Sequence, residues 1–399
     1  MNLTPDEEAT LDGEKGPGYQ KAMEIIVALG KIYEADNLVA IWSAQVSGVS
    51  YQNIGDAGLE FLEEWASMGA TCSVQATLNP AAVDLRSWKE FGFPEDIARK
   101  QLRIIDAYVK MGIQPTCTCV PYLIGNLPQF GNHVAWGESS AIAYCNSIIG
   151  ARTNREGGPS SLAAGLVGKT ANYGLHLTEN RKPELTIQVE CPLKSGADFG
   201  ALGYFVGKRG GNKVIYFQGI RRATLEDLKL FGASLATYGS IALYHIEGFT
   251  PEASIVSPVS KTVIVTEDDL KQAYGEINSP LARVDFVALG CPHNSLEEMK
   301  AIGQSLQGKS LKSELWVLTA RPIKEAAEHL GLDKPILAAG GKIIADTCMV
   351  VAPIKEFGFH TIVTNSAKAC FYSQNLHNLQ VRLASLEKCI DVAVSGIWS

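Results

Sequence analysis

Three cysteines occupy positions at which thiolates could act together. Cys119 and Cys291 each follow a predicted strand and closely precede a proline, and Cys348 lies in the segment Ala-Asp-Thr-Cys-Met. Iron–sulfur clusters are held by cysteine thiolates, and a cubane with three protein thiolates leaves one iron open as a Lewis acid. The same spacing also fits structural thiols or a catalytic cysteine. Zinc is disfavoured because the chain has no CxxC pair.

A second candidate feature is the segment 152–161, which combines two arginines with a glycine pair. Guanidinium groups match carboxylate or phosphate oxygens, and glycines let backbone N–H groups approach an anion. The segment therefore predicts an anion-binding loop, and a solvated turn with surface arginines is the alternative. The candidate binding residues are Arg152, Asn154, Arg155 and Ser160. The segment 208–211 is a looser version, more typical of an exposed turn.

His133 and the segment 136–140 bring an imidazole, a carboxylate and two hydroxyls together in sequence. This combination is typical of an acid–base site, in which Glu138 and His133 would exchange protons with a substrate. A helix cap at Ser139 explains part of the same pattern. For the other histidines, a place in the core or at the surface is the simpler interpretation.

Alternating helices and strands must position these groups. Apolar spacing predicts helices and short apolar runs predict strands, as in α/β proteins. The clearest unit has a strand at 284–289, a turn that carries Cys291, a helix opened by a Ser295/Glu298 capping box, and a strand at 315–318. Ligand loops gather at the carboxyl ends of such strands. The other predicted helices are 18–31, 56–68, 94–111 and 225–237, and the other strands are 37–43, 69–77, 114–119, 214–217 and 241–246.

Composition narrows the class of protein. With 399 residues, 46% of them hydrophobic, the chain can bury an extensive core in two or more subdomains, predicted at about 1–125, 126–280 and 281–399. A net charge of −7 without a basic block disfavours nucleic acid and anionic membranes as partners. Nine cysteines, no export signal and no long apolar run predict reduced thiols and a cytoplasmic protein.

Nine separate strings resemble the aconitase X family, over essentially the whole chain. The resemblance implies an aconitase-like three-domain α/β body in which Cys119, Cys291 and Cys348 hold an iron–sulfur cluster, by analogy a [4Fe–4S] cubane, with [2Fe–2S] as the alternative. The family usually has Cys-Thr-Pro-Tyr at the first ligand, where this chain has Val120. That pattern favours Cys119 over Cys117. The strings are 47–51, 54–61, 77–80, 119–122, 136–141, 150–160, 173–177, 290–293 and 346–348.

The resemblance also implies a partner and an activity. Family members complete the active site with a swivel domain, which this chain lacks, so a separate small subunit and a heterodimer are expected. The implied reaction is dehydration of (R)-5-phosphomevalonate to trans-anhydromevalonate 5-phosphate in the archaeal modified mevalonate pathway of isoprenoid biosynthesis. The alternatives are dehydration of cis-3-hydroxy-L-proline and a cluster-free binding or assembly protein on the same scaffold.

Residue roles follow from the same resemblance. Glu138, His133 and Ser50 are the expected catalytic residues, and a phosphorylated hydroxy acid is the expected small-molecule substrate. Ser50 and Tyr51 are placed near the substrate because their motif lies there in the family. With the anion-loop residues, they complete the predicted binding set.

Overall fold

The computed structural model describes residues 1–398. The chain divides into two compact units, Met1–Lys182 and the remainder from Pro183 onward. Residue 399, the last of the third predicted subdomain, lies outside the described residues. Among residues 1–398, no helix combines the length and the apolar character needed to cross a bilayer.

Unit 1 is built on a three-stranded parallel sheet in the order β3-β2-β4, and β1 pairs antiparallel with β5. Helix α2 packs on α6, and α3 packs on α4. The core between them buries Trp65, Leu78 and Ile104 completely. The strands are β1 Leu38–Ala40, β2 Ser43–Val46, β3 Gln75–Leu78, β4 Ala135–Trp136 and β5 Lys169–Ala171. The helices are α1 Pro5–Leu11, α2 Pro17–Ile32, α3 Tyr51–Ser67, α4 Glu95–Lys110, α5 Ser139–Tyr144 and α6 Gly158–Val167.

The boundary of unit 1 differs from the subdomain boundary predicted near residue 125. Residues 126–182 belong to unit 1 because β4 pairs with β2 and β5 pairs with β1. Such long-range pairings are invisible in local hydrophobic patterns. The predicted strand at 114–119 is wrong, since only Gln114 forms a bridge, with Thr77, and Cys117 has a positive φ of 43°.

Unit 2 begins with a four-stranded parallel sheet in the order β8-β7-β6-β9. Helices α7 and α8 pack against each other, and their N-termini are closed by capping boxes. The strands are β6 Leu185–Val189, β7 Ile215–Gln218, β8 Tyr244–Ile246 and β9 Thr262–Val265, and the helices are α7 Gly196–Gly210, α8 Leu225–Gly239 and α9 Glu267–Ile277.

A five-stranded parallel sheet in the order β12-β11-β10-β13-β14 completes unit 2. The order reverses between β10 and β13, and such switch points are where open α/β sheets bind ligands. The predicted βαβ unit is confirmed, with Ser295 and Glu298 in a capping box. The strands are β10 Phe286–Asn294, β11 Glu314–Thr319, β12 Lys342–Ala345, β13 Thr361–Thr364 and β14 Gln380–Leu383. The helices are α10 Leu296–Leu306, α11 Arg321–His329, α12 Lys334–Ala339, α13 Ala367–His377 and α14 Leu386–Ser395.

Candidate active site

Glu138 follows β4 at the carboxyl edge of the unit 1 sheet and is held by three hydrogen bonds. Asn79, which follows β3, donates from Nδ2 to Glu138 Oε2 at 2.8 Å. Ser140 donates to Oε1 from its hydroxyl at 2.9 Å and from its backbone N–H at 3.3 Å. Asn79 Oδ1 is buried and has no hydrogen-bond partner among residues 1–398. A carboxylate fixed beside an unused acceptor is suited to exchanging a proton with a bound molecule.

Gln45 connects Glu138 with the loop of Cys119. Its Oε1 accepts from the Glu138 N–H at 3.3 Å, and its Nε2 donates to the carbonyl of Thr118 at 3.1 Å. The Gln45 side chain is fully buried and Cys119 is only 5% exposed. Gln45 therefore links the loop that carries Cys119 to the residue that carries the Glu138 carboxylate. Sequence reasoning missed Gln45 and assigned no role to Asn79, because their contacts depend on the register of β2, β3 and β4.

The predicted anion loop runs beside β4 and reaches the same edge at its glycines. A Cβ on Gly158 would lie 2.7 Å from the carbonyl oxygen of Ser47, and one on Gly137 would lie 2.5 Å from the Ser47 hydroxyl. Both positions therefore need glycine for close approach of the chains. Ser160 Oγ accepts from the Gly157 N–H at 2.9 Å and fixes the turn.

Asn154, Arg155 and Arg152, the other candidate residues of this segment, differ in their contacts and exposure. Both ends of the Asn154 amide bind backbone, since Nδ2 donates to the Tyr173 carbonyl at 3.0 Å and Oδ1 accepts from Leu175 N–H at 2.8 Å. Arg155 is exposed. Arg152 donates to the His176 carbonyl at 2.7 Å. Of the two arginines, Arg152 is therefore committed to a contact within the protein.

His133 does not lie with Glu138. His133 precedes β4 and Glu138 follows it, so the extended chain separates them by roughly 16 Å, at about 3.3 Å per residue. His133 Nδ1 is instead 2.9 Å from His176 Nδ1, and the backbones of His133 and Arg152 form an isolated parallel β-bridge. Burial lowers the pKa of both imidazoles, with that of His176 reaching about 3. The structure therefore brings His133 together with Arg152 at the amino edge of the sheet.

This histidine pair predicts a pH-dependent stability of unit 1. The folded protein keeps His176 neutral, whereas the unfolded chain protonates it near its ordinary pKa of 6.5. Stability from this group is complete above pH 6.5 and falls below it by about 1.4 kcal/mol per pH unit. Urea unfolding of the wild type and of His176→Gln, measured as a function of pH, should give the wild type the steeper acid loss. Parallel curves would contradict this assignment.

Ser50 and Tyr51 form the start of α3. Ser50 is buried, and its hydroxyl caps the helix by accepting from the Gln52 N–H at 3.2 Å. The Tyr51 hydroxyl donates to Asp56 at 3.1 Å and accepts from Lys100 at 2.7 Å. Ser50 follows β2 by a few residues and so lies near the Glu138 edge. The Tyr51 hydroxyl is engaged by exposed charges on α3 and α4.

In unit 2, Cys291 and Cys348 lie on two chain segments at the carboxyl ends of β10 and β12 in the five-stranded sheet. Cys291 is in the last part of β10 and Cys348 follows β12, and both thiols are buried. His293 joins the two segments, because its Nε2 is 2.9 Å from the carbonyl oxygen of Thr347. Lys229 in turn donates to the His293 carbonyl at 2.9 Å and pairs with Glu298.

The electrostatics of Cys348 combine opposing effects. Burial raises its pKa to about 12, and the nearby thiol of Cys291 acts in the same direction. The backbone N–H groups of Val350 and Val351 and the ammonium of Lys368 oppose this rise. These donors and the cation would stabilise a thiolate once its proton is replaced by a metal.

The buried thiols of unit 2 partly match the donors that an iron–sulfur cluster needs. Two buried, interacting thiols, one of them on β10 beside a topological switch point, fit such a group. The buried Thr347 hydroxyl, which has no hydrogen-bond partner among residues 1–398, fits it as well. Over residues 1–398, however, no group of three or more His, Cys, Asp or Glu side chains is arranged to hold a metal ion. Cys119, the third predicted ligand, belongs to the other unit.

Models of known protein families match three successive parts of this chain. Three family models match in succession, described as the aconitase X first domain over residues 1–179, the second domain over 183–275 and the third domain over 284–395. This chain belongs to the aconitase X family. The predicted three-domain architecture is thereby confirmed.

Individual aconitase X relatives cover nearly the whole chain. The phosphomevalonate dehydratase large subunit of Methanothermobacter thermautotrophicus is 50% identical over 93% of each chain. The cis-3-hydroxy-L-proline dehydratase of Pseudomonas aeruginosa is 34% identical over 98% of this chain but 69% of its own length. The crystal structure of Thermococcus kodakaraensis aconitase X in its holo-form matches with a TM-score of 0.93 and 48% identity, covering 98% of this chain and 100% of that one.

Proposed function

We propose that this chain is the large subunit of a phosphomevalonate dehydratase, a hydro-lyase that converts (R)-5-phosphomevalonate to trans-anhydromevalonate 5-phosphate. The carrying observation is the 50% identity with the Methanothermobacter large subunit over 93% of both chains. The hydroxyproline dehydratase is less similar, at 34% identity. A cluster-free binding or assembly role has less support, because these relatives are named as enzymes.

The proposed cofactor is an iron–sulfur cluster, by family analogy [4Fe–4S], with Cys119, Cys291 and Cys348 as ligands. Support comes from the burial of the three thiols and from the His293 contact that joins two of their chain segments. When bound, a cluster with an open iron supplies a Lewis acid that polarises the leaving hydroxyl of the substrate. Within residues 1–398 none of the nine cysteines forms a disulfide, which favours a reducing compartment such as the cytoplasm.

Glu138 is the proposed base of the reaction. Dehydration removes a proton from the carbon beside the substrate carboxylate while the neighbouring C–O bond breaks and the hydroxyl leaves. Asn79 and Ser140 orient the Glu138 carboxylate with three hydrogen bonds, which favour its ionised form before the proton arrives. His133 is a weaker candidate for this step because it lies at the opposite edge of the sheet.

Anion binding in unit 1 is proposed for Arg155, Ser50 and the turn fixed by Ser160. These groups lie on chain segments that lead to the Glu138 edge, and Arg155 is exposed. Arg152 and Asn154 make contacts with backbone groups and are proposed to shape the loop. Tyr51 is proposed to orient the start of α3. A separate small subunit is proposed as the partner, supported by the words "large subunit" in the relatives' names.

Asn79→Ala tests the proposed orientation of the base. Loss of its hydrogen bond to the carboxylate should raise the pKa of Glu138 and shift the acid limb of the kcat profile to higher pH. We expect kcat to fall by roughly ten-fold, about the effect of one charge-assisted hydrogen bond, with little change in KM. An unchanged pH profile would show that Asn79 does not act through Glu138.

The choice of substrate is tested by anaerobic assays of the chain co-expressed with its small subunit. 5-Phosphomevalonate and cis-3-hydroxy-L-proline are compared at matched enzyme concentrations. A higher kcat/KM for 5-phosphomevalonate supports the proposed function. Turnover of hydroxyproline alone would move the protein to amino-acid breakdown.

A further inference from the structure

A cleft of about 640 Å³ opens at the carboxyl ends of β6 and β7 in unit 2. The strand order reverses between β6 and β9, and the cleft shares the loop after β6 with this topological switch point. Its volume falls within the usual range of small-molecule sites, about 300–1,000 Å³. It is lined by residues 188–194, which follow β6 into α7, and by 219–222, which follow β7.

The cleft carries an excess of positive charge. Lys194, Arg221 and Arg222 line it together with a single acid, Glu190, so three cations face one anion. Within residues 1–398, the side chains of the three cations make no ion pair or hydrogen bond, whereas Arg99 and Arg103 on α4 each pair with a glutamate. Two unengaged guanidinium groups on consecutive residues of one cleft loop are suited to the oxygens of a phosphate.

The backbone around the cleft leaves anion binding to these three side chains. Gly219 has a φ of 85°, and a Cβ there would lie 2.3 Å from the Val189 carbonyl oxygen, so the two strand ends are in close contact. At the start of α7, Asp198 already accepts from the N–H groups of Lys194 and Ser195, at 2.7 and 3.0 Å. The Asp198 carboxylate therefore already occupies the two N–H groups that precede α7 and would repel an anion there, so an anion would depend on the cations.

A second cavity of about 240 Å³ shares Lys194 with the cleft and is also lined by Asn294 and Asn365, which follow Cys291 and β13. Four carboxylates line this cavity and disfavour a phosphate there. They are Glu226, Asp227, Glu298 and Glu387. A phosphorylated molecule that spans this region would therefore keep its phosphate in the first cleft.

We propose that the cleft between the β6 and β7 loops binds the phosphate monoester of the substrate through Arg221 and Arg222, with Lys194 beside them. The inference rests on the proposed function for the identity of the substrate. The phosphate does not react in a dehydration, so its contacts contribute to substrate binding. They separate a phosphorylated hydroxy acid from an unphosphorylated one.

The test compares two double variants of the full chain. Arg221→Ala/Arg222→Ala removes the cleft arginines, and Arg99→Ala/Arg103→Ala removes two exposed arginines from α4 as the matched change in charge. Inorganic phosphate is titrated into each protein by calorimetry, after circular dichroism has confirmed equal folding. We expect binding to be roughly ten-fold weaker or lost in the cleft variant and unchanged in the control. Equal binding in all three proteins, or none in the wild type, would overturn the proposal.

A kinetic test separates this proposal from the proposed function. In the complex with the small subunit, the cleft variant should raise KM for 5-phosphomevalonate by roughly ten-fold and change kcat little. Loss of small-subunit co-purification without a change in phosphate binding would assign the arginines to subunit contact and overturn the inference. A wild type that binds phosphate but does not turn over 5-phosphomevalonate would overturn the proposed function and leave the anion site standing.

Discussion

Cys348→Ala is expected to remove the iron–sulfur cluster and, with it, all measurable dehydration. Cys348 is one of two interacting buried thiols in unit 2, and the residue is only 6% exposed. Loss of one thiolate from a three-cysteine set removes a covalent support of the cluster. Iron and acid-labile sulfide per chain, together with visible absorbance, report this loss independently of activity.

Cys389→Ala is the matched control for this prediction. Cys389 is also fully buried in unit 2, on α14, where its thiol contacts the Ala384 carbonyl at 3.8 Å. Its replacement should cost about 1 kcal/mol of stability through a small cavity, and iron content should be unchanged. Normal iron and turnover in Cys348→Ala would remove Cys348 from the ligand set.

Glu138→Gln should lower kcat by about 10²- to 10⁴-fold with a folded protein and a similar KM. The amide has nearly the same shape as the carboxylate but cannot take a proton from carbon. The unpartnered Asn79 Oδ1 could accept from the new NH₂ group after rotation of the amide, so the local packing can persist. Rates under saturating substrate are compared with those of the wild-type complex.

Glu7→Gln provides the control for loss of a buried carboxylate. Glu7 is 3% exposed and pairs with Lys169 at 2.7 Å, far in sequence from the Glu138 edge. This variant should lose stability and keep its kcat. A Glu138→Gln complex with wild-type kcat would require another base.

The sequence predicted the elements that local patterns encode. The helix at 18–31 corresponds to α2, and the βαβ unit around Cys291 is correct apart from its turn. The segment 290–293, predicted as a turn, is assigned to β10, but its pairing with β11 is interrupted between Leu289 and Asn294, and Gly290 has a positive φ of 113°. Glycine and proline are typical of turns, so the local sequence predicts one here. It gives no sign that pairing with β11 resumes at Asn294.

The arrangement of the candidate site depended on information that local patterns do not carry. His133 and Glu138 are near in sequence, but the intervening β4 carries them to opposite edges of the sheet. Gln45 looks like an ordinary buried strand residue until the register of β2 places it between Thr118 and Glu138. Resemblance to the family identified the important segments, whereas sheet register decides which side chains meet.

The most direct test of the proposed dehydratase activity is anaerobic incubation of 5-phosphomevalonate with the purified two-subunit complex. The product is identified by phosphorus NMR and mass spectrometry. We expect the wild type to form a single phosphorylated product that has lost one water molecule, and Cys348→Ala to form none. An iron-loaded wild-type complex that leaves 5-phosphomevalonate unchanged would contradict the proposed activity.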